Sequence, residues 1–244
     1  MKNNFLHSLC NRGQCLLRHE LGPLIVVLLV VGGIWLFAEL ADEVMEGETH
    51  VFDKRLILMM RTQEDLSDPV GPRWVEEIAR DMTALGGGGV LGLLTFSVTG
   101  FLLLHGKGRS ALFVLVSVGG GLLISLVLKM GFDRPRPELV PHESIVYTAS
   151  FPSGHSVLSA VTYLTLGVLL ARFHQHRRDK VYLITLAFLI TFLVGVSRVY
   201  LGVHWPTDVL GGWTVGVVWA MLCWLAARWM QRHGNIEEES EYEL

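Results

Sequence analysis

The chain has 244 residues, of which 51% are hydrophobic and only 18% charged. Its mean hydropathy is +0.44. That balance excludes a disordered chain and argues against an ordinary soluble enzyme, whose charged share is about 25%. A net charge of −3 leaves no basic field for nucleic acid. Cys10, Cys15 and Cys223 form no CxxC pair, so neither a disulfide framework nor a cysteine zinc site is expected.

A bilayer core of about 30 Å takes about 20 apolar residues as helix. Six stretches qualify, at about Leu21–Ala41, Thr83–Leu104, Ala111–Leu128, Ser156–Ala171, Val181–Val196 and Thr207–Ala227. The fold expected is all-α, an integral membrane bundle of six transmembrane helices with a loop or amphipathic helix region on the outer side. Residues 1–20 form an N-terminal segment, 21–232 the bundle, and 233–244 an acidic tail. The first stretch lacks an A-x-A site and is read as an uncleaved helix rather than a signal peptide.

Lys2, Arg12 and Arg18 precede the first stretch, and Lys107 and Arg109 separate the second from the third. Arg172, Arg177, Arg178 and Lys180 separate the fourth from the fifth, and Arg228 and Arg232 follow the sixth. The positive-inside rule makes these alternate segments, and both termini, cytoplasmic. The outer segment 42–82 carries eleven acids against five Lys or Arg. Within it, Trp74–Arg80 suits an amphipathic surface helix or a solvated loop equally. Gly88-x3-Gly92 and Gly212-x3-Gly216 are candidate close helix contacts. They do not establish a dimer, and the oligomeric state is left open.

The remaining polar residues fall in two segments that this topology places at one membrane face. The first opens with Lys129, Arg134 and Arg136, three cations within eight residues. Arg offers a planar fork for phosphate oxygens and Lys a point charge, although cations also snorkel at interfaces. Arg134 is free either to meet a second phosphate or to pair with Asp133. Pro152-Ser153-Gly154-His155 follows, where a starting helix offers free N–H groups to an anion; Ser153 also suits a helix N-cap. In the second segment Asp208 lies four residues after His204, one helical turn on if a helix begins near Trp205. A carboxylate there can hold one imidazole nitrogen and leave the other as a nucleophile.

Lys129-x6-Arg136-Pro137, Pro152-Ser153-Gly154-His155 and Ser197-Arg198-x5-His204-x3-Asp208 together resemble the motifs of the type-2 phosphatidic acid phosphatase superfamily. All eleven specified residues are present in order. The motifs cover about 80 residues directly, and the six-span layout extends the likeness to most of the chain. The resemblance implies that His204 attacks phosphorus, Asp208 orients it, and His155 protonates the leaving oxygen. Lys129, Arg136, Arg198, Ser153 and the Gly154 N–H would hold the phosphoryl oxygens, with no metal and no cofactor. Phosphoryl transfer needs chiefly positioning and charge stabilisation, which fixed cations supply. His142-Glu143 is the one loose metal-like pair.

The expected activity is hydrolysis of a lipid phosphate: phosphatidic acid, phosphatidylglycerol phosphate, diacylglycerol pyrophosphate or undecaprenyl diphosphate. The bilayer and its lipid are the expected partners. A bacterial inner membrane is expected, with the site facing the periplasm. A lipid phosphotransferase would share the first half-reaction. The related vanadate haloperoxidases are soluble, which the six spans oppose. A transporter would place its ionisable residues near mid-membrane, where this chain has almost none.

Overall fold

The computed structural model describes residues 2–138 and 149–232. His142, Glu143 and the tail from 233 lie outside the described residues. The described residues form eight helices in chain order: α1 (Lys2–Glu46), α2 (His50–Leu58), α3 (Arg73–Ala84), α4 (Gly88–Leu104), α5 (Gly108–Gly131), α6 (Gly154–Arg172), α7 (Arg177–Tyr200) and α8 (Pro206–Arg232). The only other pairing among the described residues is an isolated bridge between Arg61 and Pro69.

Five helices are long and apolar enough to cross a membrane: α1 from Leu21, α5, α6, α7 and α8 up to Met230. Each lies within a few residues of its predicted stretch. The second predicted stretch differs. Instead of one straight helix from Thr83 to Leu104, α3 and α4 meet at a 47° bend and qualify as a sixth span only together. The bend follows from Leu85-Gly86-Gly87. A Cβ on Gly86 would clash with Val194 and come within 3.3 Å of the His155 Cβ. Tyr163 Oη satisfies the Leu85 carbonyl freed there, at 2.8 Å. Alone, the 17 residues of α4 rise about 26 Å, close to the lower limit for a span.

The bundle is organised around α6, which packs on α5, α7 and α8 and is buried over most of its length. Small residues allow this. Cβ atoms on Gly212 and Gly216 of α8 would stand 2.7 Å from the Ser153 carbonyl and 2.6 Å from the Ala160 Cβ. Gly212-x3-Gly216 is therefore a close helix contact, as expected. Gly88 and Gly92 have no neighbour within 4 Å and are not. α1 packs on α8 but leaves Leu24, Ile25, Leu28, Leu29 and Trp35 exposed, a face that water does not suit and lipid does.

The acidic outer segment is more structured than a loop. α1 runs on to Glu46, and α2 inserts Asp53 and Ile57 into the interior. Trp74–Arg80 is helical, within α3, with Glu76 and Arg80 paired at 2.8 Å and Trp74 and Ile78 exposed. At the opposite end, Lys107 of the α4–α5 turn lies 4.5 Å from the ring of Phe173, which follows α6, so these two basic turns share one face.

Candidate active site

Four helix ends converge at the other face. α5 ends at Gly131 just past Lys129, α6 begins at Gly154, α7 ends just past Arg198, and α8 begins two residues after His204. Main-chain bonding ties two of these ends together, the Ser153 N–H donating to the Asp208 carbonyl at 2.9 Å.

His204 is 1% exposed. Its Nδ1 lies 3.2 Å from Asp208 Oδ2, and its Nε2 lies 3.2 Å from Arg136 Nη1. Guanidinium only donates, so Nε2 is the accepting nitrogen and Nδ1 carries the proton toward the carboxylate. Burial pushes the His204 imidazole down to about 3, opposed by Asp208 and reinforced by the Arg198 and Arg136 charges. The neutral ring with its lone pair on Nε2 is the form of an imidazole nucleophile.

Asp208 is fully buried and accepts from every side: Arg134 Nη1 at 2.7 Å on Oδ1, then the Trp205 N–H at 2.9 Å, His204 Nδ1 and the Ser150 hydroxyl on Oδ2. Arg136 also donates to the Val203 carbonyl at 3.1 Å. Its burial lowers its pKa, an effect the Asp208 charge opposes. Arg198 donates to Thr83 Oγ1 at 3.0 Å. The Nε atoms of Arg136 and Arg198 are buried with no acceptor among the described residues. Such donors suit an anion that brings its own oxygens. Lys129 Nζ donates to the Ala149 carbonyl at 2.8 Å, and its Cε lies 3.5 Å from where a Cβ on Gly154 would be. The lysine stem thus lies against the start of α6.

Ser153 occupies the N-cap position of α6 but makes no side-chain cap bond. Its buried Oγ accepts from Ser156 Oγ at 3.1 Å, so capping is not what this side chain does. His155 sits in the first turn of α6, half-buried against Gly86 at the α3–α4 bend. All eight sequence-predicted residues therefore occupy one end of the bundle. Among the described residues no group of three or more His, Cys, Asp or Glu is arranged to hold a metal.

Arg134 does not take the pairing with Asp133 that was one of its two alternatives. Its Nη2 binds Asp53 Oδ2 at 2.5 Å and its Nη1 binds Asp208 and Thr207 Oγ1, each at 2.7 Å. Two buried carboxylates hold it, which leaves Lys129, Arg136 and Arg198 to face the site. Sequence reasoning also missed Asp53, Ser150, Trp205 and Thr207. Ser150 carried a signal, lying two residues before the Pro-Ser-Gly-His run, and Trp205 and Thr207 lie within the His204-x3-Asp208 spacing. Asp53 is one acid among eleven and carried none.

The structure is thus a multi-pass helical bundle with a buried His–Asp pair among three cations at one end. The PAP2 superfamily matches residues 110–232. Phosphatidylglycerophosphatase B of Bacillus subtilis is 37% identical over 150 residues, 59% of this chain and 71% of that protein. An undecaprenyl-diphosphatase of Sulfolobus acidocaldarius is 36% identical over 67 residues, 28% of each chain. The crystal structure of a transmembrane PAP2-type phosphatidylglycerolphosphate phosphatase from Bacillus subtilis superposes with a TM-score of 0.71 at 28% identity, covering 83% of this chain and 98% of that one. This chain belongs to the PAP2 superfamily of membrane lipid phosphatases.

Proposed function

We propose that the chain removes phosphate from a membrane lipid through a phosphohistidine at His204, without a metal. One observation carries this: the buried imidazole donates from Nδ1 to Asp208 and turns its Nε2 lone pair toward the cations. Nε2 attacks phosphorus, the bond from phosphorus to the lipid oxygen breaks, and His155 gives that oxygen a proton. His155 then takes a proton from water, whose oxygen displaces Nε2 and releases phosphate. Lys129, Arg136 and Arg198 with the Ser153 hydroxyl and the Gly154 N–H hold the equatorial oxygens, where charge develops. Asp208 holds the imidazole and stabilises its positive charge.

The positive-inside rule applied to the basic α4–α5 and α6–α7 turns supports a cytoplasmic setting for that end and both termini, with the site at the periplasmic face of a bacterial inner membrane. Residues 1–20 and 233–244 flank the 21–232 bundle on the cytoplasmic side. Three cations match one phosphoryl group, with Arg134 committed elsewhere. That count suits any lipid monophosphate, and the name of the Bacillus subtilis relative puts phosphatidylglycerol phosphate at the head of a panel with phosphatidic acid and undecaprenyl mono- and diphosphate.

The test is phosphate release by purified protein in detergent with EDTA present. Release that disappears in His204→Ala supports the reading; release that survives this substitution overturns it. A trapped phosphoenzyme without release would point to a lipid acceptor in place of water.

A further inference from the structure

The start of α8 is capped in an unusual way. A helix leaves its first N–H groups without partners, and the common remedy is a reciprocal box. In it the N-cap side chain accepts from the first turn, while an acid at the third helical position reaches back to the N-cap N–H. Here the second half is present, Asp208 accepting from the Trp205 N–H at 2.9 Å. The first half cannot come from Trp205, whose indole has no acceptor; its Nε1 donates to the Pro135 carbonyl at 2.9 Å. The missing acceptor is Asp53 of α2, 154 residues away. Its Oδ1 accepts from the Thr207 N–H at 3.0 Å, and its Oδ2 accepts from Thr207 Oγ1 at 2.6 Å and from Arg134. Thr49, on the turn before α2, adds an acceptor for Arg134 at 3.2 Å. Asp53 and Asp208 are both 0% exposed.

We infer that Asp53 is a positioning residue. Working through Arg134 and Thr207, it fixes the Asp208 carboxylate, and through it the Nδ1–H tautomer of His204, so that docking of α2 completes the nucleophile. The geometry explains why one acid serves both tasks. Asp208 closes the cap of α8 and holds His204 with the same oxygen, so a shift in the first turn of α8 moves the nucleophile. Without Asp53 the Thr207 N–H loses its acceptor and Arg134 keeps only the Asp208 side of its clamp. Asparagine cannot restore the arrangement, because donors approach both carboxylate oxygens and an amide offers only one acceptor.

The inference rests on the phosphohistidine reading, so the experiment has one arm with activity and one without. In the first, Asp53→Asn, Thr207→Val, Asp208→Asn and Asp53→Asn/Asp208→Asn are assayed beside wild type and Lys54→Ala, an exposed neighbour on α2. Displacement of a catalytic group by about 1 Å can cost about 10²-fold, so Asp53→Asn is expected to lose about that much kcat with KM nearly unchanged. The double variant should be no slower than Asp208→Asn alone, since both act through one carboxylate. Losses that multiply, or a loss confined to KM, overturn the inference.

The second arm follows the His204 Nδ1–H resonance in 15N-histidine protein without substrate. It should shift or vanish in Asp53→Asn, shift less in the milder Thr207→Val, and stay in Lys54→Ala. A resonance unmoved in both Asp53→Asn and Thr207→Val refutes the inference even if wild type shows no phosphatase activity. An inactive wild type whose resonance does respond to Asp53 refutes only the functional reading. If Asp53→Asn does not fold, Thr207→Val decides both arms.

Discussion

Replacing Asp208 by asparagine tests the centre of the site, and the structure dictates which way the amide must turn. The Trp205 N–H and His204 Nδ1–H both point at Oδ2, and the main-chain donor cannot rotate away. The amide oxygen must face them, which turns the NH2 group toward Arg134 Nη1, donor against donor. The tautomer of His204 survives; what is lost is the negative charge beside it. Trading a charged for a neutral acceptor weakens a hydrogen bond by about 1–2 kcal/mol, a lower bound of about tenfold on the rate. Full loss of the attraction between a carboxylate and a developing imidazolium about 3.2 Å apart is worth about 5 kcal/mol at an effective dielectric of 20, an upper bound of about 10⁴-fold.

A fall in kcat of about 10²–10³, between those bounds, is the expected result, with KM changed by less than about threefold because phosphate is gripped by other residues. Arg134 keeps Asp53 as its counter-ion, so the protein should still fold, about 1.5–3 kcal/mol less stable for the lost charge-assisted bond. Steady-state phosphate release and a thermal melt in detergent measure both. A variant with wild-type kcat refutes the orienting role. One that fails to fold refutes the claim that Asp53 suffices for Arg134.

The depressed pKa of His204 predicts that its ring stays neutral as pH falls through 6.5, taking up a proton only toward about 3. 15N shifts of labelled histidine, assigned with His204→Gln, would show an imidazolium at pH 6 if this is wrong. Gly216→Ala should force α6 and α8 apart, since the added Cβ would sit 2.6 Å from the Ala160 Cβ and 2.7 Å from the Val157 carbonyl. Overpacking of this kind costs about 1–3 kcal/mol, and an unchanged melting curve would show that the crossing is looser than described. EDTA should leave turnover intact because Lys129, Arg136 and Arg198 supply the positive charge; a loss reversed by added metal would contradict this.

How far the sequence could be read depended on whether a residue's partner was near it in the chain. Spans were legible because a run of apolar residues is a local property, and α5 to α8 begin and end within a few residues of expectation. His204 and Asp208 were legible because four residues make one helical turn. The bend at Leu85-Gly86-Gly87 was not, because its cause is Val194 and His155, brought there by α6 and α7. Arg134 was seen but misassigned. Its partners Asp53 and Asp208 lie 81 and 74 residues away in opposite directions, while the one acid beside it, Asp133, is not its partner. The cap role offered for Ser153 failed for a related reason. Spacing locates a helix start but cannot tell whether the side chain serves its own backbone or the site.

The same four helix ends explain how charges of both signs gather there. A helix carries partial positive charge at its N-terminus and partial negative charge at its C-terminus. Lys129 and Arg198 lie in the last turns of α5 and α7, where a cation is favoured. Asp208 lies in the first turn of α8, where an anion is favoured. No carboxylate among the described residues occupies the start of α6, with Ser153 and Gly154, and the proposed mechanism puts the phosphoryl group there. Lys129, Arg198 and Asp208 thus sit at the helix ends that stabilise them, which offsets part of the cost of holding the cations together. The remaining cation, Arg136, has no helix terminus of its own. It leans on the lone pair of His204 and the Val203 carbonyl instead, so under the proposed mechanism Arg136 would have to release Nε2 before His204 attacks phosphorus. Of the three cations facing the site, Arg136 is the one hydrogen-bonded to the proposed nucleophile.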